Sequence, residues 1–368
     1  MVSGVSVCRE SDRRVITRAI VSSAKHGVDS RGFCTVLIYR CPSPPKGQSW
    51  LCNDPAYGEW RLKRPASVDC ARRNLVGSRV SSFEEHTMTT RAQPTSKFVT
   101  ANGLRLHYLE WGKAGMPAVV CVHGYTGSAQ AFNALARHFQ DRFHVLAMDV
   151  RGHGESEWSP TGAYGYADQA RDLAAFVDRL ELPRFALIGT SMGGIIAMTY
   201  AADHAERLTA LVINDIGPDV EVGSTRITGL VGARPDAFAT LDAGLAYRRE
   251  ISPITAARPA EDQEELGRGV LKQDTGGQWV WKMDPAYIEQ RVTRGAPVRP
   301  ALWPALEKLQ CPTLVIWGTE SDVLSESQAR RMAQTLPNGE LVPVSSVGHA
   351  PTLTEPAALS AIERVLGQ

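Results

Sequence analysis

Hydrophobic and polar positions change rhythm three times along the chain. Up to about residue 87 there is no continuous amphipathic pattern that would build a core. Only Gly32 to Cys41 reads as a strand there, and Pro42-Ser43-Pro44-Pro45 ends it. From about residue 97 the pattern turns regular. Lys97 to Thr100, the Asn102-Gly103 pair and Leu104 to Trp111 predict a hairpin. Ala118 to Val122 is a continuous apolar run, the mark of a strand covered on both faces. Ser128 to Phe139 predicts a helix, His144 to Met148 a buried strand, and Ala167 to Leu180 an amphipathic helix with Leu173, Phe176, Val177 and Leu180 on one side. Arg184 to Ile188 and Leu208 to Asn214 continue the strands. Such alternation implies a mostly parallel sheet with right-handed crossovers.

At Gly217-Pro218 the alternation stops. As far as about Trp303 the chain reads as short helical pieces broken by Gly and Pro, with Trp279, Trp281 and Tyr287 supplying bulky apolar surface. Strands and helices then return at Thr313 to Trp317, Ser325 to Leu336, Glu340 to Val344 and Pro356 to Leu366. An interruption of about 85 residues is too long for an ordinary loop. It predicts a helical cap over the strand ends, where sites form in such sheets. The division is therefore 1–87 as an N-terminal extension outside the core, 88–216 and 304–368 as two parts of one core, and 217–303 as the cap.

Charge sharpens the first boundary. Residues 1–87 carry 14 Lys+Arg against 8 Asp+Glu, while the whole chain of 368 residues has a net charge of +1. Met88-Thr-Thr-Arg runs straight into the first strand and is an alternative start; a targeting peptide fits less well because Trp, Pro and acids are scattered through the segment. A hydrophobic fraction of 43% and a charged fraction of 21% are those of a soluble globular protein. The near-neutral balance gives no reason to expect nucleic acid or an anionic membrane as partner. No apolar run is long enough to span a bilayer. Self-association into a homo-oligomer is left open. Of seven cysteines, Cys121 and Cys311 lie in apolar runs that read as buried strands, and no Cys/His spacing suggests zinc. An odd number with two in the core argues for reduced thiols in a cytoplasmic setting.

The chemistry begins at Gly189-Thr190-Ser191-Met192-Gly193. An apolar strand, Phe185 to Ile188, leads into this turn, and a helical run of small and apolar residues follows it, the context expected of a nucleophile elbow. Glycines flank the serine because side chains there would strike the neighbouring strand and helix. The plainer reading is a glycine-rich strand-to-helix loop with a capping serine. In an open parallel sheet the loops at the carboxyl ends converge. His123 to Gly127, Ser191, Trp317 to Asp322 and Val347 to Pro351 all lie in such loops, in the chain order Ser, Asp, His of hydrolases on this kind of sheet.

With these motifs, together with Asp149-Val150-Arg151-Gly152-His153-Gly154-Glu155-Ser156 and Gly348-His349, the chain from about residue 97 onward resembles an α/β-hydrolase fold enzyme of the capped serine-esterase and lipase-like kind. The resemblance implies an α/β architecture: a mostly parallel eight-stranded sheet flanked by helices, with the cap between strands 6 and 7. It implies Ser191 as nucleophile, His349 as general base and then acid, and Asp322 as the group that orients the histidine. It also implies an oxyanion hole from the backbone N–H groups of Tyr125 and Met192. Asp322 stands one residue later than the commonest spacing of the family. Asp215, after the preceding strand, is the alternative acid, and Asp219 a third. His123, His153 and Asp149 read as structural, and Trp279 and Trp281 as cap core.

The leading expectation is hydrolysis of a small-molecule carboxylic ester or lactone through an acyl-serine intermediate, without metal or organic cofactor. Carbon–carbon bond cleavage by the same fold is an alternative, although no cluster of arginines placed for a carboxylate substrate emerges from the linear sequence. A ligand receptor on a hydrolase scaffold is the non-catalytic alternative.

Overall fold

A computed structural model describes residues 91–219, 223–295 and 297–367. The expectations for 1–87, for Met88 as a start and for the cysteines before residue 91 fall outside them. The chain enters through β1 (Thr95–Ala101) and β2 (Leu104–Trp111), joined at Asn102 and Gly103, whose φ values of 48° and 76° are those of a tight hairpin turn. There follow β3 (Ala118–Val122), a 3-10 turn at Ala129–Phe132, α1 (Asn133–Phe139), β4 (His144–Met148), α2 (Tyr166–Arg179), β5 (Phe185–Thr190), α3 (Met192–His204) and β6 (Leu208–Asn214).

The chain then leaves the sheet for α4 (Gly223–Gly232), β7 (Ala237–Phe238), α5 (Leu241–Ile251), α6 (Pro253–Ala257), α7 (Ala260–Val270), β8 (Leu271–Gln273), β9 (Trp279–Trp281) and α8 (Pro285–Arg294). It returns through α9 (Trp303–Leu306), β10 (Thr313–Gly318), α10 (Glu326–Thr335), β11 (Gly339–Val344) and α11 (Pro356–Leu366). The eight-stranded sheet has the order β1-β2-β4-β3-β5-β6-β10-β11, antiparallel only where β2 meets β1 and β4. The interruption thus lies between the sixth and seventh strands of this sheet. It is not wholly helical, as the sequence had suggested: β7, β9 and β8 form a three-stranded antiparallel sheet, because Trp279-Val280-Trp281 pairs with a strand on either side.

Apolar residues of alternating parity in the central strands face two separate cores. Val120, Val122, Leu187, Leu211 and Ile213 pack with α2 and α3, whereas Val119, Cys121, Ala186, Ile188, Ala210 and Val212 pack with α1 and α11. Both faces being covered explains why these strands read as continuous apolar runs. Helix α3 is apolar all round its first two turns, with Ile195, Ile196, Ala197 and Met198 all shielded from solvent. Cys121 and Cys311 are buried free thiols, as the strand pattern predicts, and burial pushes the Cys121 thiol up.

The loops at the strand ends are tied together by buried polar residues. The Asp149 carboxylate lies 2.7 Å from His107 Nδ1 and accepts from the N–H groups of Ala129 at 2.6 Å and Glu155 at 3.0 Å. Burial alone would raise its pKa; the His107 hydrogen bond and neighbouring histidines outweigh that and hold it below the usual carboxylate range. His153 Nε2 lies 2.6 Å from the Tyr125 carbonyl, which fixes the loop after β3. Burial, reinforced by His123, pushes the His153 imidazole down to about 3, so it stays neutral and one ring N–H is available for that carbonyl. Asp172 on α2 meets Arg151 through both carboxylate oxygens and also accepts from Asn102 at 2.8 Å.

Two outcomes follow for stability. Asp172→Ala strands a buried guanidinium and is expected to cost about 3 kcal/mol in chemical denaturation, whereas Glu340→Ala, at the exposed Arg364 pair, costs less than about 1 kcal/mol. The unfolded chain takes up a proton on His153 as pH falls through about 6.5 and the folded one does not until about 3. Stability is therefore lost as pH falls across that window. In His153→Gln the slope of unfolding free energy against pH between those limits should be shallower by up to about 1.4 kcal/mol per pH unit, as read from denaturation midpoints at a series of pH values.

Candidate active site

Strand β5 delivers Ser191 into a turn that only a particular set of neighbours allows. Ser191 has φ 53° and ψ −118°, a backbone state that side-chain-bearing residues rarely adopt. Its N–H donates to the Asn214 carbonyl at 2.9 Å, and its own carbonyl accepts from Gly194 at 2.8 Å, so the strained residue is held from both sides. The glycines are there for close approach. A Cβ on Gly189 would lie 2.4 Å from the Gly193 carbonyl oxygen, and one on Gly193 would lie 2.0 Å from that of Val122. Backbone cannot retreat from such contacts, which accounts for the spacing of the motif.

Three neighbouring strands supply the partners. Asn214 at the end of β6 pairs with Thr190 on one side and Ile316 on the other, so Asp215 emerges beside Ser191 at the centre of the sheet. Beyond β10, β11 ends in the loop that carries His349. The last loop closes against Gly318, where a Cβ would lie 2.5 Å from the Val347 carbonyl oxygen. Asn214 Nδ2 donates to the Pro351 carbonyl at 2.9 Å and to Thr190 Oγ1 at 3.1 Å, tying the histidine loop to the elbow strand.

The result is a continuous relay. Ser191 Oγ lies 2.8 Å from His349 Nε2, and His349 Nδ1 lies 2.8 Å from Asp215 Oδ2. Since the carboxylate can only accept, Nδ1 carries the hydrogen and Nε2 presents its lone pair to the serine hydroxyl. Asp215 is fully buried. Besides the imidazole it accepts from Gly318 N–H at 3.0 Å and from Ser321 Oγ at 2.7 Å.

The carboxylate that meets His349 is Asp215, the alternative offered by the sequence, and not Asp322, the acid favoured there. Asp322 lies beyond the end of β10 and is exposed, while Gly318 and Ser321 of the same loop spend their donors on Asp215. Asp219 is also displaced, at the rim, where its carboxylate accepts from Trp303 Nε1 at 2.9 Å. Ser321 was missed by sequence reading. Its only signal is that it stands where Gly-x-x leads the family's commonest acid.

Tyr125 and Met192 flank Ser191. Met192 is the first residue of α3, and a Cβ on Gly124, just before Tyr125, would lie 3.3 Å from Ser191 Cβ. N–H groups at a helix start are directed toward negative charge. Over them stands the cap helix α8: the hydroxyl of fully buried Tyr287 lies 3.4 Å from Met192 Sδ, and the Arg291 guanidinium is 4.2 Å from the centre of the Tyr125 ring. Neither contact was legible in the sequence, because each joins residues far apart in the chain. Trp279 and Trp281 pack with Phe238 and Leu271 inside the cap, as its apolar pattern implied. Among the described residues no His, Cys, Asp and Glu group is arranged to hold a metal ion, and no helix is long and apolar enough to cross a membrane.

Known proteins share this frame. A model of the alpha/beta hydrolase fold family matches residues 117–356. The 3-hydroxybutyrate-oligomer hydrolase of Cupriavidus necator is 32% identical over 265 residues, which is 70% of this chain and 90% of that one. An alpha/beta hydrolase from Novosphingobium aromaticivorans superposes with a TM-score of 0.67 at 32% identity, over 75% of this chain and 99% of its own. The crystal structure of E-2-(acetamidomethylene)succinate hydrolase gives a TM-score of 0.67 at 25% identity, over 75% of this chain and all of that one. From the elbow, the sheet order and these matches together, the chain belongs to the alpha/beta hydrolase fold family.

Proposed function

We propose that the protein hydrolyses carboxylic esters through an acyl-serine intermediate, with Ser191, His349 and Asp215 as the catalytic triad. The observation that carries the reading is the relay with two contacts of 2.8 Å, from Ser191 Oγ through the imidazole to the buried Asp215 carboxylate. His349 Nε2 takes the serine proton as Oγ attacks the ester carbonyl, and Asp215 stabilises the imidazolium so formed. The oxyanion of the tetrahedral intermediate is held by the N–H groups of Met192 and Tyr125, worth roughly 3 kcal/mol each in the transition state. The imidazolium then protonates the leaving alkoxide, leaving the acyl group on Ser191. Water, deprotonated by the same nitrogen, attacks the acyl carbonyl, and the proton returns to Oγ as the acid departs.

The name of the Cupriavidus necator relative points to short hydroxyalkanoate esters as a class worth assaying. A second reading, hydrolysis at a carbon–nitrogen or carbon–carbon bond, draws support from the relative that acts on a succinate derivative. The two are separated by assaying ethyl butanoate and 3-hydroxybutyrate oligomers beside an enamide and a vinylogous diketone.

Ser191→Ala should lower kcat on the preferred ester by about 10⁴-fold or more and abolish labelling by a fluorophosphonate probe. Asp215→Asn should cost kcat about 10⁴-fold, since an amide whose oxygen keeps the Gly318 N–H turns its NH2 toward Nδ1 and donates to it, which moves the imidazole hydrogen to Nε2. Asp322→Asn should stay within about threefold of the parent, in keeping with an exposed surface substitution. An Asp322→Asn variant as impaired as Asp215→Asn would restore the sequence-based acid.

A further inference from the structure

Two arginines far apart in the sequence converge on Tyr125, and a third stands near one of them. The Arg291 guanidinium stands on the face of its ring, and Arg234, bent against Trp281 with its guanidinium 4.4 Å from that ring's centre, is close enough to act electrostatically on the same tyrosine. Arg299 lies within electrostatic reach of Arg291. Among the described residues none of these three arginines forms an ion pair. Arg291 is 7% exposed, yet its Nε and Nη1 have no hydrogen-bond partner. Arg299 spends one nitrogen on the carbonyls of Gly217 and Asp219 and leaves Nε without a partner.

Tyr125 does not supply the missing negative charge. Burial pushes its hydroxyl up to about 12, against the pull of Arg291 and Arg234, so it stays neutral, and it too has no hydrogen-bond partner. Burial lowers the Arg234 guanidinium to about 10, which leaves it charged at neutral pH. Buried charges are ordinarily paired, because desolvation without a partner costs several kcal/mol. Arg291 also lines a cavity of about 210 Å³ bounded by Tyr164, Tyr287, Arg294 and Val298. Tyr287 lines that cavity too, and its hydroxyl lies 3.4 Å from Met192 Sδ, one residue from Ser191.

We propose that Arg291, with Arg234 and Arg299 behind it, binds a free carboxylate carried by the substrate, so that the preferred esters are monoesters of a dicarboxylic acid or oligomers ending in a carboxylate. The inference rests on the ester hydrolase reading. The planar guanidinium matches a carboxylate in shape and hydrogen-bonding direction, and it rests on the ring of the residue whose N–H is expected to hold the oxyanion. An anchor so positioned sets which carbonyl comes to rest over Ser191.

The test compares the monoethyl esters of succinic, glutaric and adipic acids with ethyl butanoate, pentanoate and hexanoate, following acid release by pH-stat. The wild-type enzyme should prefer at least one acidic ester to its neutral counterpart. Arg291→Gln should lower that acid-to-neutral ratio of kcat/KM about 30-fold, mainly through KM, in line with loss of charge-assisted hydrogen bonds, and Arg291→Lys should restore part of it. Calorimetric titration of Ser191→Ala with the corresponding dicarboxylates should show binding that the Ser191→Ala/Arg291→Gln double variant lacks. Equal losses on both ester series, or dicarboxylate binding indifferent to residue 291, would overturn the subsite and leave Arg291 a cap-packing residue. Were the wild-type enzyme to cleave neither series, the ester reading would fall, while the titration would still decide the carboxylate site.

Discussion

A fully buried carboxylate, Asp215, sits at the carboxyl end of a central strand, and the geometry of the Ser191–His349 pair depends on how it is satisfied. Asp215 takes three donors, from a backbone amide, a hydroxyl and an imidazole, each contributed by a loop at the same end of the sheet. A buried anion is tolerated only when its lone pairs are filled, and hydrogen bonds to a charged group are each worth about 1.5–3 kcal/mol. The need to solvate one side chain therefore holds three chain segments in register. It also fixes which imidazole nitrogen faces Ser191. Charge stabilisation and tautomer selection come from the same contact.

Strain is concentrated around that contact. Ser191 and Asp215 both have positive φ, at 53° and 56°, although neither is glycine. Such positions cost about 1–3 kcal/mol each and persist only where surrounding structure over-determines them. Here the over-determination is visible. The Ser191 N–H is bonded to Asn214, the Asp215 N–H donates to the Ile316 carbonyl at 2.8 Å, and Gly189 and Gly193 let strand, turn and helix touch without intervening side chains. Helix α3, buried without a break from Met192 to Met198, anchors the turn that presents the hydroxyl.

The cap follows a different logic. It holds to the core through polar links around its margin: Glu265 accepts from Asn133 at 2.9 Å and pairs with Arg137, Asp262 pairs with Arg91, and Tyr164 meets Asp284. Its inner side brings α8 down on the elbow, stacking Tyr287 on Tyr164 at 4.4 Å between ring centres. The guanidinium groups of Arg91 and Arg137 at the margin meet carboxylates, whereas the one over Tyr125 rests on a ring. That contrast separates residues that fasten the cap from a residue poised to meet something else.

The sequence by itself determined the sheet. Period-two burial on two faces forces continuous apolar runs, and each of the eight strands and the longer helices beside them was legible to within a few residues, α11 at Pro356–Leu366 without any shift, whereas the helices of the cap were not resolved one from another. It also singled out Ser191 and His349, which the fold brings to 2.8 Å of each other, because a serine in a strained turn requires glycines at fixed local spacing and a loop histidine after the last strand has a fixed place in the order. What only the tertiary structure decided is the choice between carboxylates and the use of the cap's charges. Asp215 and Asp322 each follow a parallel strand; which one reaches His349 depends on neighbour order in the sheet and on a Ser321 hydroxyl that turns back toward β6. The strand in the cap at Trp279–Trp281 was likewise hidden, since three residues carry too little periodicity to separate strand from helix. Arg234, Arg291 and Arg299 carry no mutual spacing at all. Local pattern records what a residue does within its own element, and the partners of a long charged side chain are set by how distant elements pack.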